Sequence, residues 1–139
     1  MPLKLSLKPG ERFVLNGAVV ENGDRRATLI LQNKASVLRE KDIMQEHEAD
    51  SPAKRIYFPV MMMYLSSKAD DAVYDEFVAR MTDFMGAVSS PEVLAECVNV
   101  SGDVMAGDYY KALMRCRKLM AYEAERLGAD PSAEAEGEG

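Results

Sequence analysis

Lys4, Ser6 and Lys8 alternate with Leu3, Leu5 and Leu7 in the stretch LKLSLK. Period-two alternation puts the leucines on one face of a strand and the polar side chains on the other. Arg39 closes a second apolar stretch, SVLRE. A planar guanidinium donates two parallel hydrogen bonds, which suits phosphates and base edges. Exposed strand charges also guard a sheet edge against aggregation, so the pattern has a purely protective reading too. A further cationic set, Lys111, Arg115 and Lys118, is spaced four and three apart and continues to Tyr122, with Arg117 beside it. That spacing aligns the side chains along one side of a helix, as a phosphate- or partner-binding stripe or as a solvated face. All of this is the chemistry of binding, not of bond making.

Residues suited to catalysis are scarce. His47 is the only histidine and lies in EHEAD. No second His stands at metal-ligating spacing, so the segment reads as a solvated linker rather than a metal site. Cys97 and Cys116 form no CxxC pair. They occupy apolar helical positions and read as buried thiols. Neither GxGxxG nor a P-loop is present. Met61, Met62 and Met63 belong to a methionine-rich chain and read first as core filler. Nothing here implies an enzyme, a cofactor or a metal.

Charge is distributed unevenly. Residues 1–41 hold eight Lys and Arg against four Asp and Glu, so within a net charge of −6 the remainder carries −10. The overall balance argues against non-specific nucleic-acid binding by the whole surface, while the basic N-terminal part admits a localised anionic partner. No apolar run reaches the length of a membrane span, and the N-terminus lacks the apolar core of a secretion signal, so a cytoplasmic protein without membrane contact is expected.

The elements that must position these residues change type near Asp42. Strands are predicted over 3–8, 12–15, 18–21, 26–32 and 36–40, joined by Pro9-Gly10, Asn16-Gly17, Asn22-Gly23-Asp24 and Asn33-Lys34. Turns this frequent predict an antiparallel meander, with hairpins at Asn16-Gly17 and between strands three and four. A polar linker follows. Ser51-Pro52 then opens a helix to Leu65, in which Pro59 should kink the chain or shift its effective start. Three more helices are predicted: 70–85, from Ser90-Pro91 to Gly107, and from Asp108 to Gly128. Five strands before four helices make an α+β fold. The expected organisation is a strand lobe over 1–45, a helical lobe over 51–128 and a disordered acidic tail over 129–139.

MPLKLSLKPGERFVLNGAVVENGDRRATLILQNKASVLREKDIM, the Pro-led helix after it, and AGDYYKALMRCRKLMAYE together resemble the flagellum biosynthesis repressor FlbT family across residues 1–128. The resemblance implies a bacterial, cytoplasmic, post-transcriptional regulator. Such a protein associates with the 5′ untranslated leader of flagellin mRNA and promotes its decay.

Within it, KPGERFVLNG and RRATLILQNKASVLREKDI look like the carbon storage regulator CsrA family, five short strands that interleave in a homodimer. That likeness implies RNA, usually a GGA in a hairpin loop, gripped between strand one of one chain and strand five of the other. Arg39 would then be the main contact, with Lys4, Ser6 and Lys8 on the partner strand. Here the strand-one charges alternate with leucines instead of standing together, and Arg25 and Arg26 would supply charge from the hairpin between strands three and four. The alternative reading is a protein-interaction module. In it the helices bind flagellin or another flagellar regulatory protein, and any effect on RNA is indirect.

Overall fold

A computed structural model describes residues 3–66 and 70–129. Five strands come first: β1 (Leu3–Leu7), β2 (Arg12–Leu15), β3 (Ala18–Glu21), β4 (Ala27–Leu31) and β5 (Val37–Arg39). Two short 3-10 turns, Glu40–Asp42 and Glu46–Glu48, lead to α1 (Lys54–Leu65), α2 (Asp71–Ala87), α3 (Pro91–Met105) and α4 (Tyr109–Ala129). The expected α+β order holds, and β2 and β3 carry the expected bounds.

The strands do not form one meander. β1 pairs antiparallel with β4, Leu3 opposite Leu31 and Leu7 opposite Ala27. β2 pairs with β3 on one side and β5 on the other, giving the order β3-β2-β5 in a separate sheet. The Asn16-Gly17 hairpin forms as expected, with φ of 49° and 85° at its two residues, as a type I′ turn requires. The expected hairpin between β3 and β4 is absent. Asn22 uses its side-chain amide on the carbonyls of Lys8 at 2.7 Å and Arg25 at 2.8 Å, while its backbone N–H bonds Glu11 O at 2.8 Å. The bonds to Lys8 and Glu11 tie the segment to the β1–β2 turn, and it crosses from one sheet to the other.

β2 and β5 are apolar on both faces, and the faces serve different cores. Phe13 and Val37 pack with Leu5 and Leu7 of β1 in a small strand core. Val14 and Leu38, one residue further along the same strands, belong to the helical core with Ile56, Val60, Phe77, Val100, Leu113 and Leu119. The three-stranded sheet is therefore the middle layer, with β1–β4 on one side and helices on the other. Leu3, grouped with Leu5 and Leu7 by the alternation, lies half exposed at the strand end.

Helix starts follow local chemistry. Asp70 accepts from Ala72 N at 2.9 Å, and Ser90 accepts from Val93 N. α1 begins two residues beyond Pro52, at Lys54, whose N–H bonds Ser51 Oγ at 3.4 Å, while Ala53 N before it bonds Glu123 of α4 at 3.0 Å. Pro59 is buried inside α1 without ending it. As the sixth helical residue, it removes only the bond to Arg55 in the first turn. Gly107, at φ 78°, closes α3 in a left-handed conformation. α4 runs one residue past Gly128. The remainder of the acidic tail lies outside the described residues.

Candidate functional site

β1 presents Lys4 and Ser6 outward, as its alternation requires, with Leu5 and Leu7 buried beneath, and Lys8 is exposed just past its end. Thr28 and Ile30 stand opposite Ser6 and Lys4 on β4. The Asn22 amide holds the Lys8 and Arg25 backbones together, so the exposed Lys8, Arg25 and Arg26 gather at one end of the two-stranded sheet. Lys4, Lys8, Arg25 and Arg26 make no ion pair among the described residues.

Arg39 joins the two sheets. Its Nη2 donates to the Ser6 carbonyl at 2.6 Å, and Nε and Nη2 both reach Glu11 Oε2, at 3.0 and 2.7 Å. Glu11 also accepts from Lys8 N at 2.9 Å. The Lys8 N–H first, and the Arg39 guanidinium second, hold the Glu11 carboxyl below the usual range. Arg39 and β1 thus meet within one chain, and the arginine is half-buried in a structural bond network. Its Nη1 makes no hydrogen bond among the described residues.

The cations predicted on α4 do not act as one stripe. Arg115 turns to α3, where Nε meets Asp103 at 2.7 Å and Nη1 meets Glu96 at 3.0 Å. Hydrogen bonding to Glu96, then to Asp103, raises its pKa against the cost of burial. Arg117 pairs with Asp42 at 3.0 Å, tying α4 to the end of the strand region. Lys111 and Lys118 stay exposed. His47 is exposed in the second 3-10 turn, and no metal-binding cluster occurs among the described residues. Cys97 and Cys116 are buried free thiols, pushed up to about 11 and about 12 by burial. Met61 is buried and Met63 packs against the helical core, while Met62 is exposed.

Sequence reasoning missed a groove of about 800 Å³ between the strands and the helices. Lys34, Arg39, Lys41 and Arg117 line it, and Asp42 is the one carboxylate among its described lining residues. Its aromatic wall is Tyr64 of α1 and Tyr110 of α4, with ring centroids 5.5 Å apart at 48°. Tyr64 is fixed from the strand side: its hydroxyl accepts from Val37 N at 2.8 Å and donates to Val37 O at 2.9 Å. Tyr110, Met114 and Arg117 follow the helical spacing four and three. That stripe was legible in the sequence, beside the apolar stripe Tyr109–Leu113–Cys116. A second cleft, lined by Lys8, Pro9, Gly10, Glu11 and Glu40, shares Arg39 and Lys41 with the groove, so the two are continuous from the β1–β2 turn.

What the fold offers a partner is this set of exposed cations, while both thiols are buried. The profile of the family described as "Flagellar protein FlbT" matches residues 3–127, and the chain belongs to that family. It is 66% identical over 128 residues to a protein of Caulobacter sp. strain K31 named a probable flagellum biosynthesis repressor, covering 92% of this chain and 98% of that one. It is 65% identical to the flagellum biosynthesis repressor protein FlbT of Caulobacter vibrioides, over 92% and 91% of the two chains. A Rhodopseudomonas palustris relative, again named a probable flagellum biosynthesis repressor, is 39% identical over 91% and 98%. No solved structure matches. These relationships give the chain a regulatory role in flagellum synthesis. No helix among the described residues is long and apolar enough to cross a membrane.

Proposed function

We propose that this protein represses flagellum synthesis by binding the 5′ untranslated leader of flagellin mRNA in the bacterial cytoplasm, and that binding hastens decay of the message or blocks its translation. The observation that carries the reading is the meeting of Arg39 with β1: its Nη2 lies 2.6 Å from the Ser6 carbonyl, between Lys4 and Lys8. One arginine thereby extends the row of exposed lysines, and Arg25 and Arg26 lengthen it at the Lys8 end. RNA loops offer unpaired base edges and phosphates, which a sparse row of fork-shaped and point charges can bond. The acidic remainder of the chain limits non-specific attraction, which favours a local contact over a bulk one. A homodimer would double the row, although each chain holds a complete one.

A second reading has its own observation. Val98 and Met105 on α3 are 60% and 78% exposed, a large apolar display for a soluble helix. On that reading flagellin or a flagellar regulatory protein docks on the helices, and RNA is affected indirectly.

A gel-shift titration of the full chain against a flagellin mRNA leader, across salt, separates the two. We expect Arg39→Ala and Lys4→Ala/Lys8→Ala each to weaken binding, with the lysine pair lowering the salt slope by about 1.5. Lys111→Ala/Lys118→Ala should leave it unchanged. Equal affinity for an unrelated RNA would overturn direct recognition and favour the helical docking surface.

A further inference from the structure

We infer that the groove between the strand layer and the helices is a nucleobase subsite, in which Tyr110 stacks an unpaired base of single-stranded RNA and Lys34 and Lys41 hold the flanking phosphates. The inference rests on the RNA reading above and extends it to residues that the strand row does not include.

Three observations carry it. First, the groove concentrates positive charge in an acidic protein. Four cations line it against one carboxylate, while the chain as a whole is at −6. Lys34 and Lys41 are exposed and make no ion pair among the described residues. A phosphate bonded there displaces water from free ammonium groups and breaks no existing pair. Asp42 is already neutralised by Arg117.

Second, the aromatic wall is held rigid. Tyr64 has both hydrogen-bonding capacities of its hydroxyl engaged by the Val37 backbone, so its ring cannot turn away. Tyr110 leans on that ring yet is 46% exposed. A flat, half-open ring backed by an immobile one is a ready stacking platform, and it loses little entropy on binding. The groove's about 800 Å³ lies within the range of ligand clefts, which run to about 1,000 Å³.

Third, the groove and the strand row are continuous. Arg39 and Lys41 line both the groove and the cleft at Lys8. A strand of RNA laid along β1 can pass Arg39 and Lys41, between which and Lys8 the cleft also holds Glu11 and Glu40, and deliver its next bases to Tyr110. Cations interleaved with stacking rings are the arrangement by which single strands are gripped, and rings add little for an acidic peptide.

The test is fluorescence anisotropy of the full chain with two labelled probes: the flagellin leader, and a single-stranded RNA hexamer carrying one abasic ribose at successive positions. Tyr110→Ala should weaken binding of the leader and of the intact hexamer by roughly 5- to 100-fold, the loss of one stacked base. Tyr110→Phe keeps the ring and should bind as wild type. Lys34→Ala/Lys41→Ala should lower the salt slope by about 1.5. One abasic position should cost wild type as much as Tyr110→Ala does and cost that variant nothing further. Circular dichroism confirms that the variants fold. If Tyr110→Ala binds the leader like wild type, the subsite is overturned while RNA recognition stands. A wild-type protein that binds neither RNA overturns both, as does displacement of the hexamer by an acidic flagellin peptide that binds Tyr110→Ala equally well.

Discussion

The strand region and the helical region bury their side chains on different scales. Among the described residues four buried side chains, Leu5, Leu7, Phe13 and Val37, form the strand core, whereas seventeen form the helical core. A core of four side chains removes too little apolar surface from water to offset the ordering of some forty residues. The strand region holds because β2 and β5 turn Val14 and Leu38 into the larger core. Its exposed face is thus freed to carry charge, and the helical region supplies the stability.

The sharpest break of that comparison is Phe13→Ala. Removing this side chain, 1% exposed in the small core, should destabilise the protein by about 3–5 kcal/mol. Because the same strands continue into the helical core, circular dichroism should follow one lowered thermal transition. A first transition that loses only strand signal would show the two regions to be separate cooperative units. Leu113→Ala, in the larger core, should cost about 2–5 kcal/mol and also give one transition.

Tyr64→Phe sharpens the comparison at the seam. It removes both hydrogen bonds to Val37 without changing the ring, and each such bond contributes about 0.5–1.5 kcal/mol. Urea unfolding should register the loss. Native-state hydrogen exchange should quicken at Val37 before it quickens in α3, and uniform quickening would deny that the seam opens locally.

The smallest effect is confined to acid. The folded Glu11 carboxyl titrates below its ordinary 4.5, so its contribution is present in full above that pH. It is lost as pH falls through the lower folded value. Wild-type stability should therefore drop below about pH 4.5, and Glu11→Gln should flatten that part of the curve. Identical slopes for the two proteins would show that the Glu11–Arg39 bond contributes nothing to the strand region.

How much of this was legible in the sequence differs by level. Element types were, because alternation in LKLSLK and helical spacing in α2 and α4 report the buried face directly. Asn16-Gly17 was legible because only such residues accept two positive φ angles in succession. Strand partners were not, because alternation fixes which face is buried and not which strand lies alongside. Asn22-Gly23-Asp24 misled because the Asn22 amide bonds Lys8, fourteen residues earlier, as well as Arg25 nearby. Arg115 reads as exposed from its spacing, yet Glu96 and Asp103, seven apart on α3, draw it inward. The groove assembles from β1, the segment from Lys34 through β5 to Asp42, α1 and α4, so no single window of sequence contains it.

The Tyr64 hydroxyl also sets a rule for self-assembly. An outward backbone N–H and C=O on an edge strand would otherwise receive a strand from another molecule. At Val37 both are already taken by a side chain of the same protein. A second copy cannot lengthen the three-stranded sheet at β5 unless α1 first lets go. Any dimer built by strand addition must instead start from another strand edge, such as that of β3.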